Sequence, residues 1–127
     1  MPDKSVARKL GIKEGYQVLI VNEPAGYRTI LGELPPNVTV STEPGPTVDL
    51  IQVFVTSRNE LEHELGRMKT LLRARGLLWV SYPKDASRIK ADINRDSIND
   101  YAHSMGLEGI AMISVDDTWS ALRLKVI

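Results

Sequence analysis

The clearest signal in this chain is a change of hydrophobic period. Val18-Leu19-Ile20-Val21 is apolar at every position, which is how a strand looks when both of its faces are covered, and residues 17–22 therefore read as a buried strand. Ahead of it, Ser5 is placed to cap a short helix running to Leu10, with Gly11 where a left-handed terminating residue is wanted. After it the period lengthens. Pro24 suits a first helical turn, and Tyr27, Ile30, Leu31 and Leu34 recur at helical spacing until Pro35-Pro36 ends the run. Residues 38–42 make a short second strand, and the Glu43-Pro44-Gly45-Pro46 segment is a loop that no regular element tolerates.

The same alternation then repeats. Residues 48–55 read as a strand, and Ser57 with Glu60 forms the Ser-x-x-Glu pattern of a capping box at the start of a helix whose stripe is Leu61, Leu65, Met68, Leu71 and Leu72, closed by Gly76. Residues 77–82 form another strand that is apolar throughout. A polar loop leads to a helix over 94–104 carrying Ile98, Tyr101, Ala102 and Met105 inward. The last two strands, 110–115 and 121–126, are joined so briefly through Asp116, Asp117 and Thr118 that they must be antiparallel. Strands alternating with amphipathic helices predict an α/β domain of three layers over residues 1–127, with right-handed crossovers. The expected sheet is mostly parallel, four strands followed by a C-terminal antiparallel hairpin at one edge.

Composition narrows the function classes. The 127 residues, 43% apolar and 25% charged, are those of an ordinary folded protein. Sixteen basic and sixteen acidic side chains cancel, so no overall field recruits nucleic acid or an anionic membrane, and only a local basic patch could do so. The absence of cysteine removes disulfides, thiolate nucleophiles and cysteine-bound metal. No signal-peptide core is visible at the N-terminus and no apolar run is long enough for a bilayer, so a cytoplasmic location is expected.

The strands 17–22, 48–55 and 77–82, with the closing hairpin, resemble part of a class I S-adenosylmethionine-dependent methyltransferase of Rossmann-like fold. The runs Leu78-Trp79-Val80-Ser81-Tyr82-Pro83-Lys84, Arg95-Asp96 and Thr118-Trp119-Ser120-Ala121-Leu122-Arg123 also look like the signature of a small bacterial family catalogued as a domain of unknown function. The methyltransferase resemblance implies a cofactor at the turn after the first strand, where Asn22 and Gly26 would lie against it, and an acidic residue at the end of the second strand. Here the turn reads Asn22-Glu23-Pro24-Ala25-Gly26-Tyr27, with one glycine and a proline. The second strand ends in hydroxyls, Glu43 being the substitute acid.

In an open parallel sheet, ligands gather beyond the carboxyl ends of the strands, where strand order reverses. That rule selects Asn22 to Tyr27, Thr56 to Arg58 and Tyr82 to Lys84. Helix-start amides after Ser57 would add affinity for anions. The rim residues expected to bind ligand are Tyr27, Arg58, Tyr82, Lys84, Arg95 and Trp119, cations for charge and rings for walls. Against each stands a plain structural role: Arg58 and Lys84 as solvated charges, Asp96 as a partner of a helix dipole, Trp119 as a core ring and Trp79 certainly so.

His63 and His103 lack companions at ligand spacing, so no metal site is expected. Asp116 and Asp117 read as turn formers, Ser57 and Ser81 lack a nucleophile elbow, and no phosphate-loop motif occurs. These observations favour a non-catalytic module without a cofactor or catalytic residue, binding a small anionic ligand or a protein partner at the rim, alone or as a homodimer, and neither nucleic acid nor membrane. The alternative is a minimal S-adenosylmethionine-dependent methyltransferase.

Overall fold

In the computed structural model, which describes residues 5–85 and 87–127, the all-apolar run of the first strand is explained by its two neighbouring layers. In β1 (Gln17–Val21), Leu19 and Val21 enter one apolar cluster while Val18 and Ile20 enter another on the opposite face. The remaining strands are β2 (Thr39–Ser41), β3 (Val48–Phe54), β4 (Leu72–Pro83), β5 (Leu107–Ser114) and β6 (Trp119–Val126). They form one six-stranded sheet in the order β2-β1-β3-β4-β6-β5. The first four strands are parallel, and β6 and β5 add antiparallel at the edge beyond β4.

The long helices α3 (Arg58–Leu71) and α4 (Arg95–Ser104) lie on the Leu19 face, contributing Leu61, Leu65, Met68, Ile98 and Ala102 to its core. The short helices α1 (Val6–Leu10) and α2 (Tyr27–Leu31) cover the other face with Val6, Ala7, Leu10, Tyr27 and Leu31. The expected three-layer, mostly parallel architecture with a terminal hairpin is the observed one. The Trp79 indole N–H donates to the Leu10 carbonyl at 2.9 Å, which fastens α1 to the centre of the sheet.

Local signals set most helix ends. The Ser5 hydroxyl accepts from the Arg8 amide, and Gly11 is left-handed at φ 87°. Asn94 and Ser97 form a reciprocal capping box at the start of α4. At α3 the Ser57 hydroxyl accepts from the Glu60 amide at 3.1 Å, but the Glu60 carboxylate reaches past Ser57 to the amide and hydroxyl of Thr56, at 2.8 and 2.7 Å. Asp116 organises the hairpin turn, its Oδ1 accepting from the amides of Thr118 and Trp119 at 2.8 Å each.

Two helices differ from expectation, and the last two strands begin earlier than expected, at Leu107 and Trp119. α2 is a single short helix over 27–31, because Gly26 and Gly32, at φ 79° and 86°, bracket it with positive-φ backbone that cannot continue a right-handed helix. α3 ends at Leu71 instead of continuing to Gly76, and Leu72 is already extended. Leu72 pairs with Val48 and Leu77 with Leu50, so five residues of β4 span what two residues of β3 span, and the surplus bulges outward. The bulge is pinned by Arg73, which donates to Asp49 at 3.0 Å and Gln17 at 2.7 Å. Gly76 is required there, since a Cβ would fall 2.7 Å from the Leu72 side chain and 2.8 Å from the Arg73 carbonyl oxygen.

Candidate functional site

The sheet order places the reversal between β1 and β3: the chain leaves β1 for β2 on one side and returns to β3 on the other. The crevice at their carboxyl ends is bounded by the β1–α2 turn and by Thr56 at the start of α3. Asn22 adopts a left-handed φ of 60°, a conformation that asparagine accepts more readily than most residues, and its amide nitrogen donates to the Phe54 carbonyl at 3.4 Å. The ends of β1 and β3 are thereby tied together. Glu23 is held by Arg28 through contacts of 2.9 and 3.0 Å. Gly26 turns an open side outward, since a Cβ built there meets no atom within 4 Å. Beside this turn, Ser41, Thr42 and Glu43 are exposed at the end of β2. The loop after Glu43 folds over Leu19, leaving a cavity of about 90 Å³ lined by Ser41, Glu43, Gly45 and Pro46 among others.

Two of the expected rim residues belong to the interior instead. Tyr27 is 1% exposed, and its hydroxyl donates to Gln52 Oε1 at 2.5 Å, whose amide in turn donates to Ser81 Oγ at 2.9 Å. Burial pushes the Tyr27 phenol well above the ordinary tyrosine range, with the Gln52 hydrogen bond opposing the shift. Trp119 is buried too, edge-on to Phe54 at 5.0 Å, and Phe54 meets Tyr27 edge-on at 4.8 Å. The three rings stack beneath the rim and offer no wall to a ligand.

Arg58 is also directed elsewhere. Its guanidinium pairs with Glu62 at 2.7 Å and lies 5.5 Å from the Tyr101 ring centroid, toward α4. The anion expected at the start of α3 is supplied by the chain itself. Asp92 Oδ1 accepts from the Arg58 amide at 2.7 Å, and Ser57 satisfies the Glu60 amide. A helix start already holding a carboxylate has little affinity left for a soluble anion.

The remaining three expected residues, Tyr82, Lys84 and Arg95, do meet. They line a hollow of about 340 Å³ between the end of β4 and the start of α4, joined by Asn94, Met112 and Ser120 and by the carboxylates of Asp85 and Asp96. The Tyr82 hydroxyl donates to Met112 Sδ at 3.0 Å, and the Lys84 ammonium donates to Ser114 Oγ at 2.6 Å. Burial raises the Tyr82 pKa, and the positive charge of Arg95 opposes the rise. Arg95 reaches Asp96 only at 3.4 Å, with more than half of its side chain in solvent. A second hollow of similar size shares Arg95, Asp96 and Met112 and extends along β5 past Asn99 and Gly109. Asn94, Met112 and Ser120 were not singled out in the sequence. The helix-cap pattern marks Asn94, whereas nothing local marks the other two, which reach the hollow through strand pairing. Asp116 forms the turn as expected, and Asp117 lies within it. Among the described residues, no three His, Asp or Glu side chains come together as a metal site, and no helix is long and apolar enough to cross a membrane.

No protein-family profile matches the chain and no curated protein matches it by sequence, so the likeness of its closing segment to a small bacterial family stays a resemblance. Solved structures do share the fold. A SAM-dependent methyltransferase from Aquifex aeolicus superposes with a TM-score of 0.67 at 19% identity, covering 96% of this chain and 88% of that one. The DhpI–SAH complex gives 0.67 at 11% identity, covering 96% and 82%. Aeropyrum pernix fibrillarin with bound S-adenosyl-L-methionine gives 0.61 at 12% identity, covering 94% and 73%. The chain has a methyltransferase-like Rossmann fold.

These likenesses correct the expectation of a non-catalytic module without a cofactor. Structures sharing this sheet include methyltransferases and complexes with S-adenosylmethionine or SAH, which favours the methyltransferase alternative. The turn after β1 supplies the physical reason. Its shortage of glycine weighed against a cofactor, yet Asn22 takes the left-handed conformation that glycine would have provided, and Gly26 leaves the outer face open.

Proposed function

We propose that this chain is an S-adenosylmethionine-dependent methyltransferase whose cofactor lies at the β1–β3 crevice and whose acceptor lies in the neighbouring hollow of Tyr82, Lys84 and Arg95. The observation that carries the reading is the reversal of strand order at an open turn, in a sheet shared with proteins solved with that cofactor. The residues present fit the group: Asn22 and Gly26 present accessible backbone, and Glu43 is an exposed acceptor for sugar hydroxyls at the end of β2. When bound, the cofactor supplies an activated methyl group on a sulfonium. The chain's own part is to orient the acceptor. Lys84, anchored on Ser114, and Arg95 attract a polar or anionic group, and the Tyr82 hydroxyl can exchange its weak hydrogen bond to Met112 Sδ for a stronger one to that group.

Thermal unfolding with S-adenosylmethionine and S-adenosylhomocysteine tests the proposal. At a hundred times its dissociation constant a native-state ligand stabilises by about 2.7 kcal/mol, which is several degrees for a domain of this size. Glu43→Ala, at an exposed position, is expected to remove most of that shift without changing the melting temperature of the free protein. No shift with either compound at millimolar concentration overturns the reading.

A further inference from the structure

At the opposite end of the sheet, where β4 begins and β6 ends, lies a hollow of about 580 Å³ that the proposed reaction does not use. Its lining includes Lys69, Arg73, Arg75, Arg123 and Lys125 and, among the described residues, no acidic one. In a chain whose charges cancel overall, this is a local concentration of one sign. Like charges brought together around a concave surface focus a positive potential into it.

The cations are arranged in two sets. Arg73 is spoken for by Asp49, and the Lys69 ammonium donates to the neutral Met105 carbonyl at 2.6 Å, which fixes its place without cancelling its charge. Among the described residues, Arg75, Arg123 and Lys125 make no ion pair. Glu108 of β5 faces this set, opposite Lys125 of β6 in the strand register, and it forms no ion pair with Lys125 within 4 Å. Arg75 has a second peculiarity. It holds a left-handed φ of 64°, an uncommon backbone state for a long side chain, at the bulge where Gly76 admits no Cβ. The bulge that cut α3 short thus presents Arg75 beside the arginine and lysine of β6.

We propose that this hollow is a phosphate-binding site, in which Arg75, Arg123 and Lys125 engage the phosphate oxygens of a ligand. Guanidinium groups match phosphate by paired N–H donors, and lysine adds a point charge. The phosphate can be carried by a single-stranded RNA or by a small phosphorylated molecule, and binding assays separate the two. The proposal is independent of where a cofactor or methyl acceptor sits.

The test measures anisotropy of a labelled short oligouridylate and calorimetric binding of pyrophosphate to the full chain, each across a range of salt. Wild type is compared with the triple variant Arg75→Gly, Arg123→Gln, Lys125→Gln, in which glycine suits the left-handed backbone and an unchanged melting temperature verifies folding. For RNA, losing three phosphate contacts flattens the slope of log K against log salt by about two and weakens binding at least about tenfold at low salt. Lys125→Glu alone, at an exposed strand end, lowers the slope by about one and serves if the triple variant fails to fold. RNA binding lost in the variants establishes a strand as the carrier, and pyrophosphate binding alone, lost in the same way, establishes a small phosphorylated molecule. If neither probe binds, or if the variants bind as wild type does, the proposal is overturned.

Discussion

Two tyrosines at the same rim show how differently its halves are built. Tyr27, after β1, points down into an aromatic stack, and its hydroxyl is consumed by Gln52 in the middle of the sheet. Tyr82, at the end of β4, is nearly as buried along its ring, but its hydroxyl end borders an open polar hollow with Lys84 and Arg95. One half of the rim is held by packing beneath it and offers backbone. The other is held by strand pairing and offers side chains. A site with a cofactor on the first and an acceptor on the second uses each for what it can supply, since a rigid turn positions a ligand and adaptable polar groups select its partner.

That comparison can be broken most severely at Phe54, which touches both Tyr27 and Trp119 and is 2% exposed. Phe54→Ala is expected to cost about 3–5 kcal/mol in urea denaturation, a large share of a domain's stability. Met112→Ala, on the hollow side and half exposed, should cost less than about 1 kcal/mol. Equal losses would show that the two halves do not differ as described.

A smaller effect is expected for Tyr27→Phe, about 1–3 kcal/mol, because Gln52 is fully buried and loses the donor to its Oε1. The pH dependence gives a second readout. The folded-state pKa of Tyr27 is raised, so above about pH 10 the unfolded chain loses its phenolic proton first and stability falls as pH rises. The contribution is fully present below that pH, and Tyr27→Phe is expected to make the alkaline decline shallower. A variant declining as steeply as wild type would place the phenol outside the core network.

The smallest effect concerns the start of α3. Asp92→Ala should cost about 0.5–1 kcal/mol by releasing the Arg58 amide and removing a negative charge from the helix end. It should also create what wild type lacks, a vacancy for a soluble anion, so that sulfate raises the variant's melting temperature more than wild type's. Identical responses to sulfate would show that Asp92 is not what fills that position.

What the sequence determined by itself lies within a few residues along the chain. The apolar run 18–21 shows a strand buried on both faces, and Ser5 and Ser57 mark helix starts because a cap acts on an amide three residues away. The short link through Asp116 likewise requires a hairpin. Tertiary structure alone decided which polar groups meet. Asp92 reaches the Arg58 amide across 34 residues, and Arg73 reaches Gln17 across 56, ending a helix that local spacing would have continued. The burial of Tyr27 and Trp119 follows from their shared contact with Phe54, and the grouping of Arg75 with Arg123 and Lys125 follows from the pairing of β4 with β6. Periodicity states which face of an element is apolar, but it carries no record of what lies opposite that face, and the opposing residues determine whether a ring becomes a wall or core and whether a cation is paired or free.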